Sequence, residues 1–423
     1  MRLPSGRLLL LGFGLLWALH ALAQSSGFKG ELDIEGSHAD NRADSVDAAL
    51  GQRRHSDIDA WLRLMWSGSI GAGWSVDATW FGEARHGGNV ALARAQRELA
   101  PDSFIDPQRT AWWQLSDVVS DHGQRRIAQR LDRLALTYSG EHLVLRLGRQ
   151  ALTWGGGLVF HPMDLFNPFA PDATYTAYKP GSDMLYGQWL FNDGSDLQAA
   201  WVPRRDPGSG HLSNSQSSGG VKWHGFAGAR QQFGIDLMLA RDYRAQVFGL
   251  AVNGALGGAT WTAEWVPTRR PGGGTQTSAL LNAQYAWSIA GRNVNGFVEL
   301  FRNGYGVTGP DRAYTQLPKP LLDRLARGEL FSVSRNYLAA GVDLQWTPLL
   351  MLKPSIIANL EDGSGLILGQ AVYSLSQNTA LTAGVQWPLG SRGSEYGGLR
   401  YTTDSALYLA PSRRVYLRMT WYF

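Results

Sequence analysis

The feature that most constrains this 423-residue chain is an alternation of apolar and polar side chains, repeated in many segments of about ten residues. The last segment is the clearest, because one of its two faces is formed by Val415, Leu417, Met419, Trp421 and Phe423. The same alternation occurs at residues 58–66, 74–80, 279–287, 338–346 and 381–387. A period of two is typical of β-strands with one apolar face, so the sequence predicts an all-β protein.

Aromatic residues at the ends of the apolar faces favour a membrane-spanning barrel over a soluble sandwich, although both architectures alternate. Trp66, Trp80, Trp287 and Trp346 occupy such ends, where an amphipathic ring suits a membrane interface. The chain also ends on an aromatic strand closed by Phe423, as bacterial outer-membrane barrels commonly do. We therefore predict a transmembrane antiparallel β-barrel in a Gram-negative outer membrane. Its expected partners are outer-membrane lipid, lipopolysaccharide and, through Phe423, the barrel-assembly machinery.

The first 23 residues have the three parts of a secretory signal peptide. Arg2 and Arg7 give a positive start, residues 8–19 form an apolar core, and residues 21–23 read Ala-Leu-Ala, a cleavage motif. The apolar core is shorter than a membrane-spanning helix requires, so cleavage is favoured over an anchor. The mature chain is predicted to comprise residues 24–423, with its formal charge lowered from +4 to +2 by the loss of two arginines.

The pattern yields 18 candidate strands, beginning near residues 28, 58, 72, 130, 142, 183, 196, 220, 232, 246, 260, 277, 293, 337, 352, 366, 379 and 413. Connections that run from an even-numbered strand to the next odd-numbered strand are mostly short, as periplasmic turns should be. The long segments fall in odd-to-even connections, which would be extracellular loops: 38–57, 88–128, 156–181, 206–218, 304–335 and 391–412. Strand 220–228 is the weakest, and sixteen strands is the nearest alternative. Two of the long loops contain helix-like stretches, at 90–100 and 320–330.

Residues 149–186 contain a loop whose composition does not suit exposure to water. Glycines 155–157 follow a strand end, and four prolines then stiffen a segment that carries Leu158, Val159, Phe160, Leu165, Phe166 and Phe169. Solvating this much apolar surface is costly. Residues 156–181 are therefore predicted to fold against the inner wall as a constriction loop. The alternative is a loop that seals one end of the barrel or packs on its rim.

The same region carries a recognisable motif. Residues 148–150 read Gly-Arg-Gln, residues 154–155 read Trp-Gly, and residues 160–169 read Phe-x-Pro-x-Asp-Leu-Phe-Asn-Pro-Phe. The motif resembles that of a largely uncharacterised proteobacterial family of outer-membrane porin-like barrels. This family is similar in style to alginate-export-type barrels, which have a charged lumen. The resemblance implies the fold and the location, and it implies no substrate and no binding residue.

Alternation also indicates which charged side chains face the lumen. The predicted acidic residues are Glu31, Asp33, Asp77, Glu264 and Asp343, and the predicted basic residues are Arg63, Arg133, Arg146, Arg414 and Arg418. The candidate lumen and constriction residues are Arg133, Arg146, Gln150, Trp154, Phe160, Asp164, Phe166, Asp77, Glu264, Asp343 and Arg418. Basic residues on one wall opposite acidic ones would create a transverse field that orients polar solutes. Alternatively, these charges pair with each other and only hydrate the wall.

Catalysis finds little support in the sequence. The absence of cysteine excludes disulfides and thiolate metal sites, and no two histidines have metal-binding spacing. Neither a G-x-S-x-G nor a P-loop motif is present. His161 and Asp164 have the spacing of a dyad, but packing within the loop is the favoured interpretation. We predict no enzymatic activity, no metal and no cofactor. The balanced charge predicts no nucleic-acid partner.

The predicted function is that of an outer-membrane porin-like channel for passive or facilitated passage of small polar or oligomeric solutes. One alternative is a closed or export-type barrel in a lipid or polysaccharide pathway. Another is a surface-interaction protein that acts through loops 88–128 and 304–335. An open lumen would favour the channel, and a lumen closed by residues 156–181 would favour the export-type barrel. The sequence does not name the solute.

Overall fold

The computed structural model describes residues 27–99, 106–309 and 313–423, so the predicted signal peptide lies outside the described residues. Eighteen strands form the wall of an antiparallel barrel. They are β1 (Phe28–Asp40), β2 (Arg54–Gly71), β3 (Trp74–Gly87), β4 (Arg125–Ser139), β5 (Leu143–Gln150), β6 (Ser182–Leu190), β7 (Asp196–Val202), β8 (Ser218–Ala227), β9 (Phe233–Asp242), β10 (Ala245–Leu256), β11 (Ala259–Arg269), β12 (Thr275–Ile289), β13 (Arg292–Arg302), β14 (Asn336–Thr347), β15 (Leu350–Asn359), β16 (Gly365–Ser376), β17 (Thr379–Leu389) and β18 (Arg413–Tyr422).

Each barrel strand pairs with the next along the chain, and β18 pairs with β1 to close the sheet. The closing register runs from Glu31 opposite Tyr422 to Asp40 opposite Arg413. Closure removes the free edges that an open sheet would expose within a membrane. The predicted barrel is therefore confirmed, and the presence of β8 gives eighteen strands rather than sixteen.

The two faces of the wall follow the alternation in the sequence. Ile58 and Leu239 point outward and are 64% and 61% exposed, as expected for side chains that meet lipid acyl chains. Glu31 and Asp33 point inward, and both are buried inside the barrel. Within the part of the chain that the structure describes, no helix has the length and apolar character to cross a membrane.

The C-terminal aromatic residue packs on the outer face of the first strand. Phe423 and Gly30 exchange backbone hydrogen bonds of 2.7 and 3.0 Å, and the Phe423 ring lies over Gly30. A Cβ atom at position 30 would lie 2.0 Å from that ring, so any other residue there would displace the ring. The Trp421 ring stacks on Phe423 with a centroid distance of 4.5 Å. Recognition of this end by the assembly machinery remains a prediction.

Short turns join the strands at one end of the barrel, and the long loops emerge at the other. The described loops contain helices α1 (Val46–Ala49), α2 (Gly88–Leu99), α3 (Pro107–Thr110), α4 (Lys319–Ala326) and α5 (Glu395–Gly398), a 3₁₀ turn (Tyr314–Gln316), and short strands at Ser116–His122, Leu399–Arg400 and Tyr408–Leu409. The two helix-like stretches of the sequence correspond to α2 and α4. Strand Ser116–His122 pairs with residues 125–130 of β4, whereas β5 pairs only with residues 134–139 of the same strand.

A buried ion pair at the ends of β5 and β6 holds a loop segment against the outside of the wall. Arg149 and Asp183 lie on these strands, and Arg149 Nε donates to Asp183 Oδ1 at 2.7 Å. Arg149 also donates to the Trp113 carbonyl at 2.7 Å, and the Trp113 amide donates to Asp183 Oδ2 at 2.7 Å. The pair therefore holds residues 107–113 against the wall. Alternation alone would place both charged residues on the lipid face. Exposing their charges to lipid would cost free energy, and residues 107–113 prevent this exposure.

Candidate functional site

The connection between β5 and β6, residues 151–181, crosses the interior of the barrel. We call residues 151–169 its outbound arm and residues 170–181 its return arm. The outbound arm bonds to inward-facing side chains of β7, β11, β12 and β13. The return arm bonds to β1, β2, β16, β17 and β18. The loop thus divides the lumen, and each arm faces a different part of the wall.

Two buried glutamates hold the outbound arm through its backbone. Glu299 accepts hydrogen bonds from the amides of Leu158, Val159 and Phe160 at 2.7, 3.0 and 2.7 Å. Glu264 accepts one from the Gly156 amide at 2.5 Å. Carboxylates that accept several amide hydrogen bonds form charge-assisted contacts, which are stronger than neutral ones. Glu264 was predicted to face the lumen, and it does so bound to the loop.

The glycines of the outbound arm permit this close approach to the wall. Gly155 has φ +99°, a conformation that disfavours other residues, and a Cβ atom there would lie 2.8 Å from Glu264 Oε1. A Cβ atom on Gly157 would lie 1.8 Å from the Phe160 carbonyl oxygen. A side chain at position 155 would therefore push the arm away from Glu264 of β11, and one at position 157 would disrupt the turn of the arm itself.

Apolar side chains of the outbound arm fill the adjacent half of the lumen. Phe160 stacks on Phe301 with a centroid distance of 4.4 Å, and Trp154 meets Phe166 edge-on at 5.3 Å. Trp154 also donates to Gln198 at 2.8 Å. Each large apolar side chain contributes roughly 1.5–3 kcal/mol when fully buried. Three of the predicted lumen and constriction residues, at positions 154, 160 and 166, are thus buried anchors rather than part of a wetted surface.

The return arm packs on a charged wall. Thr174 accepts from Arg418 through its carbonyl at 3.5 Å, and the Tyr175 hydroxyl donates to Glu31. Tyr178 lies under the Arg63 guanidinium, whose carbon is 3.7 Å from the ring centroid. Burial and the hydrogen bond to the Glu31 carboxylate raise the pKa of Tyr175 above its usual value. The tyrosine therefore stays protonated and remains a donor.

A buried ion pair joins the two arms. Lys179 Nζ bonds to the Asp164 carboxylate, to the Leu152 carbonyl at 2.6 Å and to Thr153 Oγ1 at 3.1 Å. Burial raises the pKa of Asp164 to about 6 even though Lys179 opposes this change. Burial and Lys179 lower the pKa of His161 to about 4, so its imidazole is neutral at pH 7. The candidate dyad is not formed, because Asp164 pairs with Lys179.

A cavity of about 330 Å³ remains between the return arm and the wall formed by β1 to β4 and β18. Five arginines and three carboxylates line it, together with aromatic side chains: Arg63, Arg85, Arg130, Arg414, Arg418, Asp33, Glu35, Asp59, Trp61, Phe81, Tyr175 and Tyr178. Guanidinium groups lie close to aromatic rings, as Arg130 does over Phe81 at 4.2 Å. The cavity thus offers hydrogen-bond donors and flat apolar surfaces to a polar solute.

The lining charges are paired along one wall. Arg418 Nη2 lies 2.6 Å from Glu35, Arg63 Nη1 lies 3.4 Å from Glu31, and a 3.3 Å contact joins Arg85 and Asp59. The expected separation of basic and acidic walls is therefore wrong on this side. The reason is that β18, β1 and β2 are neighbours, so their opposite charges meet across adjacent strands. On the facing wall, the Glu264 carboxylate accepts a hydrogen bond from the loop backbone, at the Gly156 amide.

The remaining predicted residues lie outside this cavity. Arg133 donates to the Asp132 carboxylate at 2.8 Å, Arg146 donates to Thr137 at 3.1 Å, and the Gln150 amide donates to the Arg146 carbonyl at 3.3 Å. Asp343 forms an ion pair with Lys353 at 3.2 Å. The structure does not bring Asp77 or Asp343 to the cavity, whose lining comes from other strands and the return arm.

Several residues of the site were missed by the sequence analysis. Glu299 lies between the outward-facing Val298 and Leu300, so the alternation that identified Glu264 contained the same signal for it. Arg130 could not be assigned in this way, because a bulge at Asp132 shifts the parity of β4. Within residues 27–99, 106–309 and 313–423, no cluster of three or more potential metal ligands occurs.

Solved structures of outer-membrane barrels share this architecture. OccK5 (OpdH) of Pseudomonas aeruginosa aligns with a TM-score of 0.51 and 9% identity, covering 94% of this chain and 98% of that one. Wzi of Escherichia coli, a carbohydrate-binding β-barrel involved in group 1 capsule assembly, aligns at 0.50 with 10% identity, covering 96% and 86%. OccAB3 of Acinetobacter baumannii aligns at 0.49 with 10% identity, covering 94% and 99%. No protein-family model and no curated protein matches the chain.

These likenesses establish the fold alone, since identities near 10% carry no residue-level correspondence. The chain has the closed architecture of outer-membrane porin-like barrels.

Proposed function

We propose that this protein is a porin-like channel of the Gram-negative outer membrane that passes small polar solutes. The observation that carries the proposal is the unequal filling of the lumen. The outbound arm fills one half with apolar side chains, while the return arm leaves an arginine-lined cavity of about 330 Å³ along the other. The solute would pass through this cavity, between the return arm and the charged wall.

The dimensions of the cavity favour single small solutes. Its volume lies near the lower end of the roughly 300–1,000 Å³ typical of small-molecule pockets. Paired charges and aromatic planes would replace part of a solute's hydration as it enters. Residues 156–181 act in this proposal as the constriction loop. The likeness in style to alginate-export-type barrels, which the motif at residues 148–169 suggests, stays a finer proposal about the kind of barrel and names no substrate.

A closed barrel in a polysaccharide pathway is the second candidate. It is favoured by the extent to which the loop is fastened, since both arms bond to the wall and Lys179 joins them. Wzi shows that a barrel of this architecture binds carbohydrate. In this case the cavity would be a binding site without through-passage. The absence of enzymatic activity stays a prediction under both candidates.

Single-channel recording distinguishes the two candidates. The refolded protein is inserted into a planar bilayer, and barrel formation is verified by the heat-dependent mobility that folded barrels show on gels. The channel proposal expects stable ohmic current steps. Silence from a correctly folded barrel would contradict the channel and favour the closed barrel.

The lining itself carries five arginines and three carboxylates, with Glu31 and Asp132 paired to Arg63 and Arg130 just behind it, and this excess predicts weak anion selectivity. Substituting Arg85→Gln and Arg130→Gln leaves three arginines against three carboxylates in the lining. We expect the reversal potential in a salt gradient to shift toward cations, because the substitutions remove two positive charges from the lining. Arg292→Gln, on the outer face of β13, is the control and should leave the reversal potential unchanged. An unshifted potential in the double variant would place the ion path elsewhere.

A further inference from the structure

Three arginines lie on the outer face of the barrel at the loop end of its wall. Arg241, Arg269 and Arg302 are near the ends of β9, β11 and β13, and all three side chains are exposed. Their orientation follows from the exposed apolar residues two or four positions earlier on the same strands, Leu239, Trp265 and Leu300. These arginines therefore sit directly above the apolar band that faces lipid.

The three arginines lie within five neighbouring strands, β9 to β13, on the outer face. Gln246 of β10 pairs with Arg241 on one side and with Arg269 on the other. Because adjacent strands are about 4.8 Å apart, the Cα atoms of these two arginines are separated by roughly 10 Å. Arg302 lies two strands beyond Arg269 on the same outer face, where the register places it level with Trp265, four residues before Arg269. We call these three residues the rim arginines.

The rim arginines have no acidic partners among the described residues, whose ion pairs within 4 Å include none of the three. Arg302 bonds to the neutral Asn336 at 3.5 Å, and Asn336 in turn bonds to Glu361 at 2.6 Å. Elsewhere on the same rim, Arg54 and Arg413 flank Asp40, and Arg54 lies 3.3 Å from its carboxylate. The rim arginines thus leave their charge unneutralised at the surface.

The opposite end of the wall differs. Among outward-facing positions in the turn-side halves of the described strands, Arg292 alone is charged, and its guanidinium stacks on Trp346 at 3.8 Å. A barrel that met the same lipid on both sides of the membrane would have no reason for this asymmetry. Unpaired positive charge on the outer face is therefore concentrated at the loop end of the wall.

We propose that the rim arginines bind the phosphate groups of a phosphorylated glycolipid of the outer leaflet, the lipid A part of lipopolysaccharide. Guanidinium groups bind phosphate oxygens with bidentate geometry, and the low polarity of the adjacent lipid strengthens such contacts. The acyl chains would lie on Leu237, Leu239 and Leu300 below. This inference rests on the placement of the barrel in the outer membrane, and it does not depend on conduction.

The test compares lipid A binding by the full mature chain in detergent micelles, measured by native mass spectrometry. The probes are lipid A with both phosphates, lipid A with both phosphates removed, and phosphatidylglycerol. The variant is R241Q/R269Q/R302Q, and R292Q is its matched control. We expect the parent protein and R292Q to bind phosphorylated lipid A roughly tenfold or more tightly than the triple variant, since each arginine adds to the attraction of an anionic headgroup.

Three results would overturn the proposal. The triple variant would bind phosphorylated lipid A as the parent does, or the parent would bind the dephosphorylated lipid equally well, or phosphatidylglycerol would compete with equal affinity. Heat-dependent gel mobility shows that the triple variant has folded. Its single-channel conductance should equal that of the parent, because the rim arginines lie outside the lumen. Failure of this proposal is therefore distinguishable from failure of the channel proposal.

Discussion

Replacing Glu299 with leucine is expected to raise the single-channel conductance several-fold. Glu299 is fully buried and accepts the amides of Leu158, Val159 and Phe160, together with Asn282 Nδ2 at 3.1 Å. Leucine leaves these donors without an acceptor, at a cost of roughly 1–3 kcal/mol for each one that stays buried. The outbound arm should leave the wall to hydrate its amides, which opens the half of the lumen that it fills.

Conductance in a planar bilayer measures this release, and Glu299→Gln is the matched control. Glutamine retains one acceptor oxygen in nearly the same volume, so its conductance should lie between those of the parent and the leucine variant. A leucine variant that folds and conducts as the parent does would show that apolar packing alone fixes the arm. Glu264→Leu should have a smaller effect, because Glu264 accepts one amide of the arm.

Lys179→Met is expected to have the second-largest effect on the loop, because it removes the ion pair between Lys179 and Asp164 that connects the two arms. It leaves Asp164 buried without its cation, and removing one partner of a buried ion pair costs roughly 3–5 kcal/mol. The Leu152 carbonyl and Thr153 hydroxyl also lose a donor. The loop should then open at its base. Protease added to the outside of cells should cleave residues 151–181 in the variant and leave the parent intact.

The double variant Lys179→Met with Asp164→Leu separates charge from packing. Apolar pairs of similar volume often replace a buried ion pair with little loss of stability, so protease resistance should largely return. Full cleavage of the double variant would show that Lys179 holds the loop through Leu152 and Thr153 instead. If the single variant Lys179→Met resisted the protease as the parent does, the ion pair would not be what holds the loop closed.

The wall was predictable from the sequence because each strand carries its own signal. Alternation with a period of two identifies the buried face without knowledge of the neighbouring strands. The segment at β8 carries a weak signal of its own, but omitting it would break the order in which short turns and long loops alternate along the chain. The barrel form followed from aromatic residues at the ends of apolar faces, such as Trp66 and Trp346.

The position of the loop was also partly predictable. Phe160 and Phe166 together could not remain in water, so an inward position was expected, and the structure places both in apolar clusters with barrel side chains. The contacts were not predictable, because most of them join residues more than one hundred positions apart. The Phe160 amide and Glu299 are an example, since they are 139 positions apart.

Other features of the site depended on local irregularity. The extra residue at Asp132 reverses which face of β4 the later residues occupy. Arg130 therefore points into the cavity, although strict alternation from Arg133 would place it on the outer face. Arg149 and Asp183 are charged residues on outward positions, and only the segment at 107–113 explains them. A sequence pattern describes isolated strands, whereas these arrangements arise from what covers each strand in the folded barrel.

Site-directed thiol labelling tests the central claim that solutes pass beside the return arm. The chain has no cysteine, so a single introduced thiol is the only reactive one. Thr174 lines the cavity, and Val159 lies on the filled side of the same loop. Each is replaced with cysteine, and a charged methanethiosulfonate reagent is added during single-channel recording. We expect stepwise loss of current for Thr174→Cys and no change for Val159→Cys. Block at position 159 with none at 174 would contradict the assigned passage.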